Sequence, residues 1–248
     1  MLTLHRQLAH QLRYWAEEFA VPHRILTEAG FTVDIAAPVG GKPAADPVSL
    51  RPEAAGPEAE AFAAYIDAAA EALANPTALS DVNTPDYDAI FVPVGHGPME
   101  DLAHDPDLGR ILVEADAAGK IIAPVCHGPA ALLSANLPGG RWLFAGRTLT
   151  MFTNEEERLN GTADQAPWLV ETVLKARGAV VRSADKAWNA HVVVDGNLYS
   201  GQNPASTSRW PKVSSPRSPA ADASRRAAPG ASAGHPCLST ADSLATTT

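Results

Sequence analysis

Short apolar runs alternate with amphipathic segments along most of the chain. Five runs have the length and the Val, Ile, Thr and Phe content of strands: residues 31–37, 89–94, 121–125, 148–152 and 191–195. Apolar residues at helical spacing predict helices over residues 15–30, 58–74, 106–119, 129–135 and 166–178. Strands that take turns with helices form a parallel sheet covered on both faces. The pattern therefore predicts an α/β fold, in which ligands bind at the carboxyl ends of the strands.

Composition narrows the class of protein further. The chain has 248 residues, 46% of them hydrophobic, so it is long enough to bury a substantial core. A net charge of −9 gives no electrostatic reason to expect a nucleic-acid partner. No apolar run approaches the roughly 20 residues that span a bilayer, and the first residues do not have the pattern of a signal peptide. We therefore expect a cytoplasmic protein without a membrane partner.

The first candidate for chemistry is a cysteine at the end of the predicted strand 121–125. Only two cysteines occur, Cys126 and Cys237, and their wide separation does not suggest a disulfide framework. Cys126 lies between that strand and the predicted helix 129–135, where free backbone N–H groups and the helix dipole favour a thiolate. His127 follows directly and is a candidate proton acceptor. A buried cysteine that only fills space is the alternative interpretation.

The loop after strand 89–94 is the second candidate. In the segment "VPVGHGPMEDLAHDP", Gly95 and Gly97 let the backbone approach a ligand closely, so this turn, with His96, is a candidate site for substrate and for a developing oxyanion. The backbone N–H of His127 is a candidate second donor. An ordinary strand-to-helix turn is the alternative interpretation.

The same loop contains acid and histidine residues spaced by four. His96, Glu100 and His104 would share one helical face as metal ligands if the whole segment were helical. Pro98 and the two glycines disfavour a helix that begins at His96. We therefore expect no metal.

Five segments together resemble the PfpI, or class I glutamine amidotransferase-like, superfamily: "YWAEEFAVPHRILTEAGFTVDIAAPVGGKPAADP", "DYDAIFVPVGHGPMEDLAHDPDLGRIL", "AGKIIAPVCHGPAALL", "FAGRTLTMFTNEEE" and "VVVDGNLYSGQNPAS". Within it they are most similar to the branch of heat-shock chaperones and glutathione-independent glyoxalases. The resemblance implies a flavodoxin-like three-layer sandwich with a mostly parallel central sheet, and a homodimer. It also implies three catalytic residues: Cys126, the neighbouring His127, and Glu18 on the first helix.

This resemblance implies a definite reaction. The Cys126 thiolate would attack an α-oxoaldehyde such as methylglyoxal, and His127 would move a proton between its two carbons to give a hydroxy acid, or a related deglycation would take place. No separate cofactor is needed, because the cysteine supplies the covalent link. A holdase chaperone is the main alternative. Amide hydrolysis, the other activity of the superfamily, fits less well. Its members pair the cysteine with a downstream His-x-Glu, whereas the downstream His191 is followed by Val192 and Val193.

Both ends differ from the superfamily pattern. Residues 1–13 have leucines at helical spacing where members have an apolar first strand, so we expect that central strand to be missing. We therefore expect the PfpI-like domain over residues 1–206 and a disordered low-complexity tail over residues 207–248, which is rich in Ser, Ala, Pro and Arg. A misplaced gene start or an altered reading frame would explain both differences.

The segment "TNEEE" has a structural interpretation. Thr153 is followed three residues later by Glu156, which is the capping-box pattern of a helix start. We favour this interpretation over a catalytic role for these acids.

Overall fold

The computed structural model describes residues 13–38, 41–93 and 95–209. Its strands in these ranges are β1 Arg13–Tyr14, β2 Ala36–Ala37, β3 Ala44–Ala45, β4 Thr77–Ala78, β5 Ala89–Val92, β6 Ile121–Pro124, β7 Thr148–Leu149, β8 Val180–Val181, β9 Val192–Asp195 and β10 Leu198–Gly201. The α-helices are α1 Ala16–Glu28, α2 Pro52–Ala55, α3 Ala59–Ala68, α4 Ala70–Ala74, α5 Pro106–Ala117, α6 Asn154–Asn160 and α7 Val170–Ala176. None of the helices in this part of the chain is both long and apolar enough to cross a membrane.

A four-stranded sheet in the order β5-β6-β10-β9 positions the functional residues. Its pairs β5–β6 and β6–β10 are parallel, and only β9–β10 is antiparallel. Three parallel two-strand pairs accompany it: β1–β3, β2–β4 and β7–β8. Helices α1 and α3 pack on each other, while α5 and α7 both pack on residues 128–134. The predicted flavodoxin-like α/β fold with a mostly parallel sheet is confirmed.

Each predicted strand contains an observed strand, but the observed strands are shorter. The sequence analysis missed β10, which lies at the centre of the sheet. Its signal is weak because it ends in Ser200 and Gly201, which are poor strand formers. Glycine is required at 201, because a Cβ there would lie 2.9 Å from the Cγ2 of Val125. The close packing that makes this strand buried therefore also removes its sequence signal.

The predicted helix 129–135 differs in type from the observed one. Residues Gly128–Ser134 form a 3₁₀ helix of seven residues rather than an α-helix. This segment is packed tightly against α5, where a Cβ on Gly109 would lie 2.4 Å from the backbone oxygen of Ser134. Tertiary packing thus overrides the helix propensity of the Ala-Ala-Leu-Leu sequence.

The largest apolar core surrounds β6, α5 and α7. It includes Ile111, Ile122, Leu132, Phe144 and Leu174, all less than 3% exposed. Burial of side chains of this size stabilises the fold by about 1.5–3 kcal/mol each. The core holds the end of β6 rigidly, so the residue that follows β6 has a fixed position.

The outer edge of β5 has a different environment. Among the described strands, none pairs with that edge of the four-stranded sheet. A cavity of about 210 Å³ lies there, lined by residues 89–93 and by residues 34–38 around β2. The expected absence of the usual first strand concerns residues 1–12, which lie outside the described residues, and so do residues 210–248 of the expected tail. Both expectations stay predictions.

Candidate active site

Cys126 occupies a sharp turn directly after β6. Its φ of 58° is in the left-handed region, which costs a residue with a side chain about 1–3 kcal/mol. Two backbone hydrogen bonds hold the turn: the Cys126 N–H donates to Gly201 O at 2.9 Å, and the Phe152 N–H donates to Cys126 O at 2.8 Å. The turn therefore has the strained strand-to-helix geometry of a nucleophile elbow.

The side chains of Cys126, His127 and Glu157 form a continuous hydrogen-bonded relay. The Cys126 Sγ lies 3.2 Å from His127 Nδ1, and His127 Nε2 lies 2.6 Å from Glu157 Oε1. His127 and Glu157 are 2% and 1% exposed. A buried carboxylate that accepts from one ring nitrogen fixes the tautomer and the orientation of the imidazole, so that the other nitrogen faces the thiol.

His96 extends the relay toward solvent. Its Nε2 lies 3.3 Å from Glu157 Oε1, and its ring stacks on the His127 ring with centroids 4.0 Å apart. The side chain is 40% exposed, in contrast to the two buried groups it contacts. His96 therefore connects the buried Glu157 carboxylate with the protein surface.

Glu18 approaches the thiol from α1. It is completely buried, and its carboxyl hydrogen-bonds the Cys126 thiol. Burial raises the pKa of the Cys126 thiol well above its ordinary value, and the negative field and hydrogen bond of Glu18 raise it further. The backbone N–H of His127 opposes this rise by donating to the sulfur.

The electrostatics of the thiol differ from the sequence expectation in one respect. We expected an α-helix dipole after Cys126 to favour the thiolate, but the 3₁₀ helix that follows has only seven residues. The structure instead surrounds the sulfur with short-range partners: Glu18, the His127 ring and the His127 backbone N–H. Protonation of the thiol is therefore controlled mainly by contacts and burial rather than by a helix dipole.

The pKa shifts of His127 and Glu157 are consistent with each other. Burial, together with the nearby His96, lowers the pKa of His127 to about 4. Burial alone would raise the pKa of Glu157, but hydrogen bonds from His127, His96 and Thr162 outweigh it and lower that pKa below its ordinary value. At neutral pH the relay thus contains a neutral imidazole, able to accept a proton, and an ionised carboxylate.

Glu156 lies beside Glu157 but belongs to a separate network. The predicted capping box with Thr153 is present, with Glu156 Oε2 accepting from the Thr153 N–H and hydroxyl at 2.9 Å each. Its other oxygen accepts from the Trp188 N–H at 2.9 Å, from Gln202 Nε2 at 3.0 Å and from Asn203 Nδ2 at 2.8 Å. All five donors hold the carboxylate in place.

Aromatic side chains form an apolar wall beside the relay. The Phe152 ring lies 4.6 Å from that of His127, and the Trp188 ring lies 5.4 Å from that of Phe152. Trp188 is 44% exposed and has a φ of 68°, which is strained for a residue with a large side chain. Its backbone N–H donates to Glu156, so the network around Glu156 fixes the position of Trp188 beside Phe152.

The proposed oxyanion turn lies near the relay through His96. Gly97 begins a short 3₁₀ helix, and a Cβ on it would lie 3.2 Å from the backbone oxygen of Arg13. Glycine at 97 therefore has a packing explanation, while Gly95 has more space, with its nearest contact at 3.7 Å. The backbone N–H of His127, our other expected donor, is directed to the Cys126 sulfur.

One set of three possible metal ligands occurs within residues 13–38, 41–93 and 95–209. It consists of His96, His127 and Glu157, whose ligand atoms lie within 4.8 Å of one another. Glu100 and His104, which share the spacing of four with His96, are both exposed and outside this set.

The sequence analysis missed Glu157. The capping interpretation of the acidic segment after strand 148–152, favoured over a catalytic role, is correct for Glu156, but the next acid, Glu157, contacts His127. The available signal was position: the acids follow the carboxyl end of a strand, where ligands bind in such folds. His191, the histidine weighed for amide hydrolysis, has its backbone bonded to Ser206 and Gln202, and His127 supplies the imidazole at the thiol.

Comparisons with known proteins place the chain in a family. The model of the DJ-1/PfpI family matches residues 13–213. Glyoxalase 3 of Candida albicans is 32% identical over 140 residues, covering 54% of this chain and 59% of that protein. The glutathione-independent glyoxalase HSP31 of Saccharomyces cerevisiae is 37% identical over 131 residues, covering 51% and 55%. The match thus spans little more than half the length of these curated relatives.

A solved structure is similar over a larger part of the chain. The crystal structure of glyoxalase III from Candida albicans superposes with a TM-score of 0.71 at 27% identity, covering 79% of this chain and 84% of that one. The two chains therefore share a fold.

Proposed function

Because the chain belongs to the DJ-1/PfpI family, we propose that it is a glutathione-independent glyoxalase, which converts methylglyoxal-type α-oxoaldehydes to hydroxy acids. The observation that carries the proposal is the environment of one sulfur. Cys126 Sγ is held at a strained elbow with a neutral imidazole 3.2 Å away and a buried carboxyl in hydrogen-bond contact. The names of the two curated relatives support the same activity.

Cys126 and Glu18 share one proton in this proposal, because burial and the adjacent Glu18 carboxylate both raise the pKa of the thiol and favour its keeping a proton nearby. When the proton resides on Glu18, the sulfur is a thiolate. It then accepts hydrogen bonds from the carboxylic acid of Glu18 and from the backbone N–H of His127. The nucleophile therefore forms by proton transfer within the pair, without separating charge in a buried site.

The reaction then follows in three balanced steps. The thiolate attacks the aldehyde carbon, and the oxygen takes the proton from Glu18 to give a hemithioacetal. His127 removes the proton from that carbon to form an enediolate. The imidazolium returns the proton to the neighbouring carbon while the hydroxyl proton moves to the other oxygen, which leaves a thioester. Water hydrolyses the thioester, releasing the hydroxy acid and the thiol. Glu157 stabilises the imidazolium that forms in the second step, as a carboxylate does in other catalytic triads.

The test is lactate formation from methylglyoxal in the absence of glutathione. We expect turnover by the wild type, at least a 1,000-fold lower rate in Cys126→Ser, and about a 100-fold lower kcat in Glu18→Gln. Cys237→Ser is the matched control, because it removes the other cysteine of the chain, and it should keep full activity. Equal rates in wild type and Cys126→Ser would overturn the proposal.

Alkylation of the thiol tests the pair directly. The rate of reaction of Cys126 with iodoacetamide reports its thiolate fraction. We expect measurable reaction at pH 7 in the wild type and a much slower reaction in Glu18→Gln, whose amide cannot take the proton of the thiol. A thiol that remains unreactive through neutral pH would contradict the mechanism. A holdase role has a separate test: aggregation suppression by the protein should survive Cys126→Ala. The expected homodimer stays a prediction.

A further inference from the structure

Two histidines and one glutamate of the relay are side chains of the types that bind transition metals. We propose that His96 Nε2, His127 Nε2 and the Glu157 carboxylate bind a zinc-type divalent ion, and that this ion holds the site in an inactive state. Two imidazoles and one carboxylate with a fourth position open are a common zinc ligand set. The inhibitory part of this proposal depends on the proposed glyoxalase chemistry, whereas the binding part does not.

Distances between the ligand atoms support the site. His127 Nε2 and His96 Nε2 lie 2.6 Å and 3.3 Å from Glu157 Oε1, and all the ligand atoms fit within 4.8 Å. Zinc needs donors about 2.0–2.2 Å from its centre, and hence about 3.3–3.6 Å from one another in a tetrahedron. The His96–Glu157 pair already lies at that separation, the His127–Glu157 contact would have to open, and no pair of ligand atoms is more than 4.8 Å apart.

Burial differs among the three ligands in a way that allows an ion to enter. The side chains of His127 and Glu157 are 3% and 2% exposed, whereas that of His96 is 40% exposed. An ion can therefore approach from the His96 side, with water or a small anion in the fourth position. The negative charge of Glu157 offsets half of the charge of the ion in this partly buried site.

Groups that contact the ligands complete the site. The Thr162 hydroxyl donates to Glu157 Oε2 and orients the carboxylate. His127 presents its other ring nitrogen to the Cys126 sulfur, 3.2 Å away, which is the kind of partner that fixes the tautomer of a metal-bound histidine. Both buried ligands thus have an outer hydrogen bond of the kind found around metal centres.

The tautomer of His127 explains why the ion would inhibit turnover. In the relay, His127 Nε2 carries the proton that it donates to Glu157, and Nδ1 is free to accept one near the thiol. An ion at Nε2 requires the opposite tautomer, in which that proton moves to Nδ1. The imidazole then has no lone pair left for the proton of the hemithioacetal, so metal binding and general-base catalysis exclude each other.

Cobalt and zinc titrations of the Cys126→Ala protein test the binding, because this variant removes the thiol as a competing ligand and leaves the three ligands in place. We expect one equivalent of Co²⁺ to bind with the intense visible absorption of a tetrahedral site, and Zn²⁺ to displace it. In the same background, His96→Ala should weaken binding at least 30-fold. His104→Ala is the matched control, since it removes an exposed histidine from the same loop, and it should bind as tightly as the parent.

Two outcomes would overturn the site: no saturable binding of Co²⁺ or Zn²⁺ below 1 mM, or equal affinity in the His96→Ala and His104→Ala proteins. Inhibition is tested separately in the wild type, where Zn²⁺ should reduce methylglyoxal turnover at least tenfold and EDTA should restore it. Tight binding in Cys126→Ala without inhibition of an active wild type would refute the inhibitory role. Absent turnover in metal-free wild type with intact cobalt binding would instead count against the glyoxalase proposal alone.

Discussion

Glu156 and Glu157 are neighbours in the first turn of α6, and both are almost completely buried, yet their surroundings differ. Glu156 accepts hydrogen bonds from two backbone N–H groups, one hydroxyl and two amides, none of which changes charge. Glu157 accepts from two histidines and a threonine. One carboxylate is therefore held by fixed donors, and the other by groups whose protons can move.

This contrast gives a criterion that burial alone does not provide. A buried carboxylate is costly unless it is fully satisfied, so both residues must have partners. Fixed donors fasten loops together, as the Glu156 network does for residue 188 and residues 202–203. Titratable donors that lead to a strained cysteine indicate a proton relay. Substitutions at the two positions should consequently separate catalysis from stability.

Replacing the relay carboxylate should have the largest effect. In Glu157→Gln one carboxylate oxygen becomes an N–H₂ group and the side chain loses the charge that stabilises an imidazolium, so we expect kcat for methylglyoxal to fall about 1,000-fold. The Thr162 hydroxyl can turn to accept from the new amide, but the hydrogen-bonded charge that stabilises the fold at neutral pH is lost, so the free energy of unfolding should fall by about 1–2 kcal/mol. Steady-state lactate formation and urea unfolding measure the two quantities.

A neighbour on the same turn supplies the control for that experiment. Glu155 is exposed, and Glu155→Gln removes the same charge from the same helix. It should leave kcat within twofold of the wild type. A comparable loss of kcat in the two variants would mean that the charge of α6, rather than the contact of Glu157 with His127, supports catalysis.

Replacing the network carboxylate should have the opposite profile. In Glu156→Gln the new amide directs its N–H₂ group toward existing donors, leaving buried groups unpaired, so we expect a loss of about 2–4 kcal/mol in the free energy of unfolding. Under conditions where the variant is folded, kcat should stay within tenfold of the wild type. Unchanged stability with a collapse of kcat would place Glu156 in the catalytic machinery and erase the contrast.

The sequence predicted one of these two roles, and the reason is local. A capping box is recognisable from residues three apart, because both hydrogen bonds form within one turn. The role of Glu157 depends on where α6 lies relative to β6, which no local pattern encodes. Among three consecutive acids, helical periodicity does not identify the one that faces the thiol.

Elsewhere in the fold and site, too, local sequence patterns predicted some features, whereas features that depend on tertiary packing were missed. Val- and Ile-rich runs located β5, β6 and β9 because these strands are built of apolar, branched residues. Strand β10 was missed because its last residues are small where chains pack closely. The position of Cys126 after a strand followed from the sequence, whereas the choice of Glu18 came only from resemblance, since an acid near a helix start is ordinarily solvated.

The smallest predicted effect concerns pH, and it follows from the titratable partner of Glu157. Burial lowers the pKa of folded His127 to about 4, below the value of about 6.5 for an unfolded chain. Between these values the unfolded state binds a proton that the folded state does not, so stability falls as the pH falls. From pH 7 to pH 5 this group alone should cost about 2 kcal/mol.

Urea unfolding of the wild type and His127→Gln at pH 7 and pH 5 measures this loss. The variant lacks the group, so it should lose about 2 kcal/mol less than the wild type on acidification, while all other titrating groups contribute to both proteins. Glu156→Gln should keep the wild-type pH dependence, because the donors to Glu156 do not titrate in this range. Equal losses in wild type and His127→Gln would mean that the imidazole beside Glu157 is protonated at pH 5 in the folded state, and the relay would then lack the neutral base on which its chemistry depends.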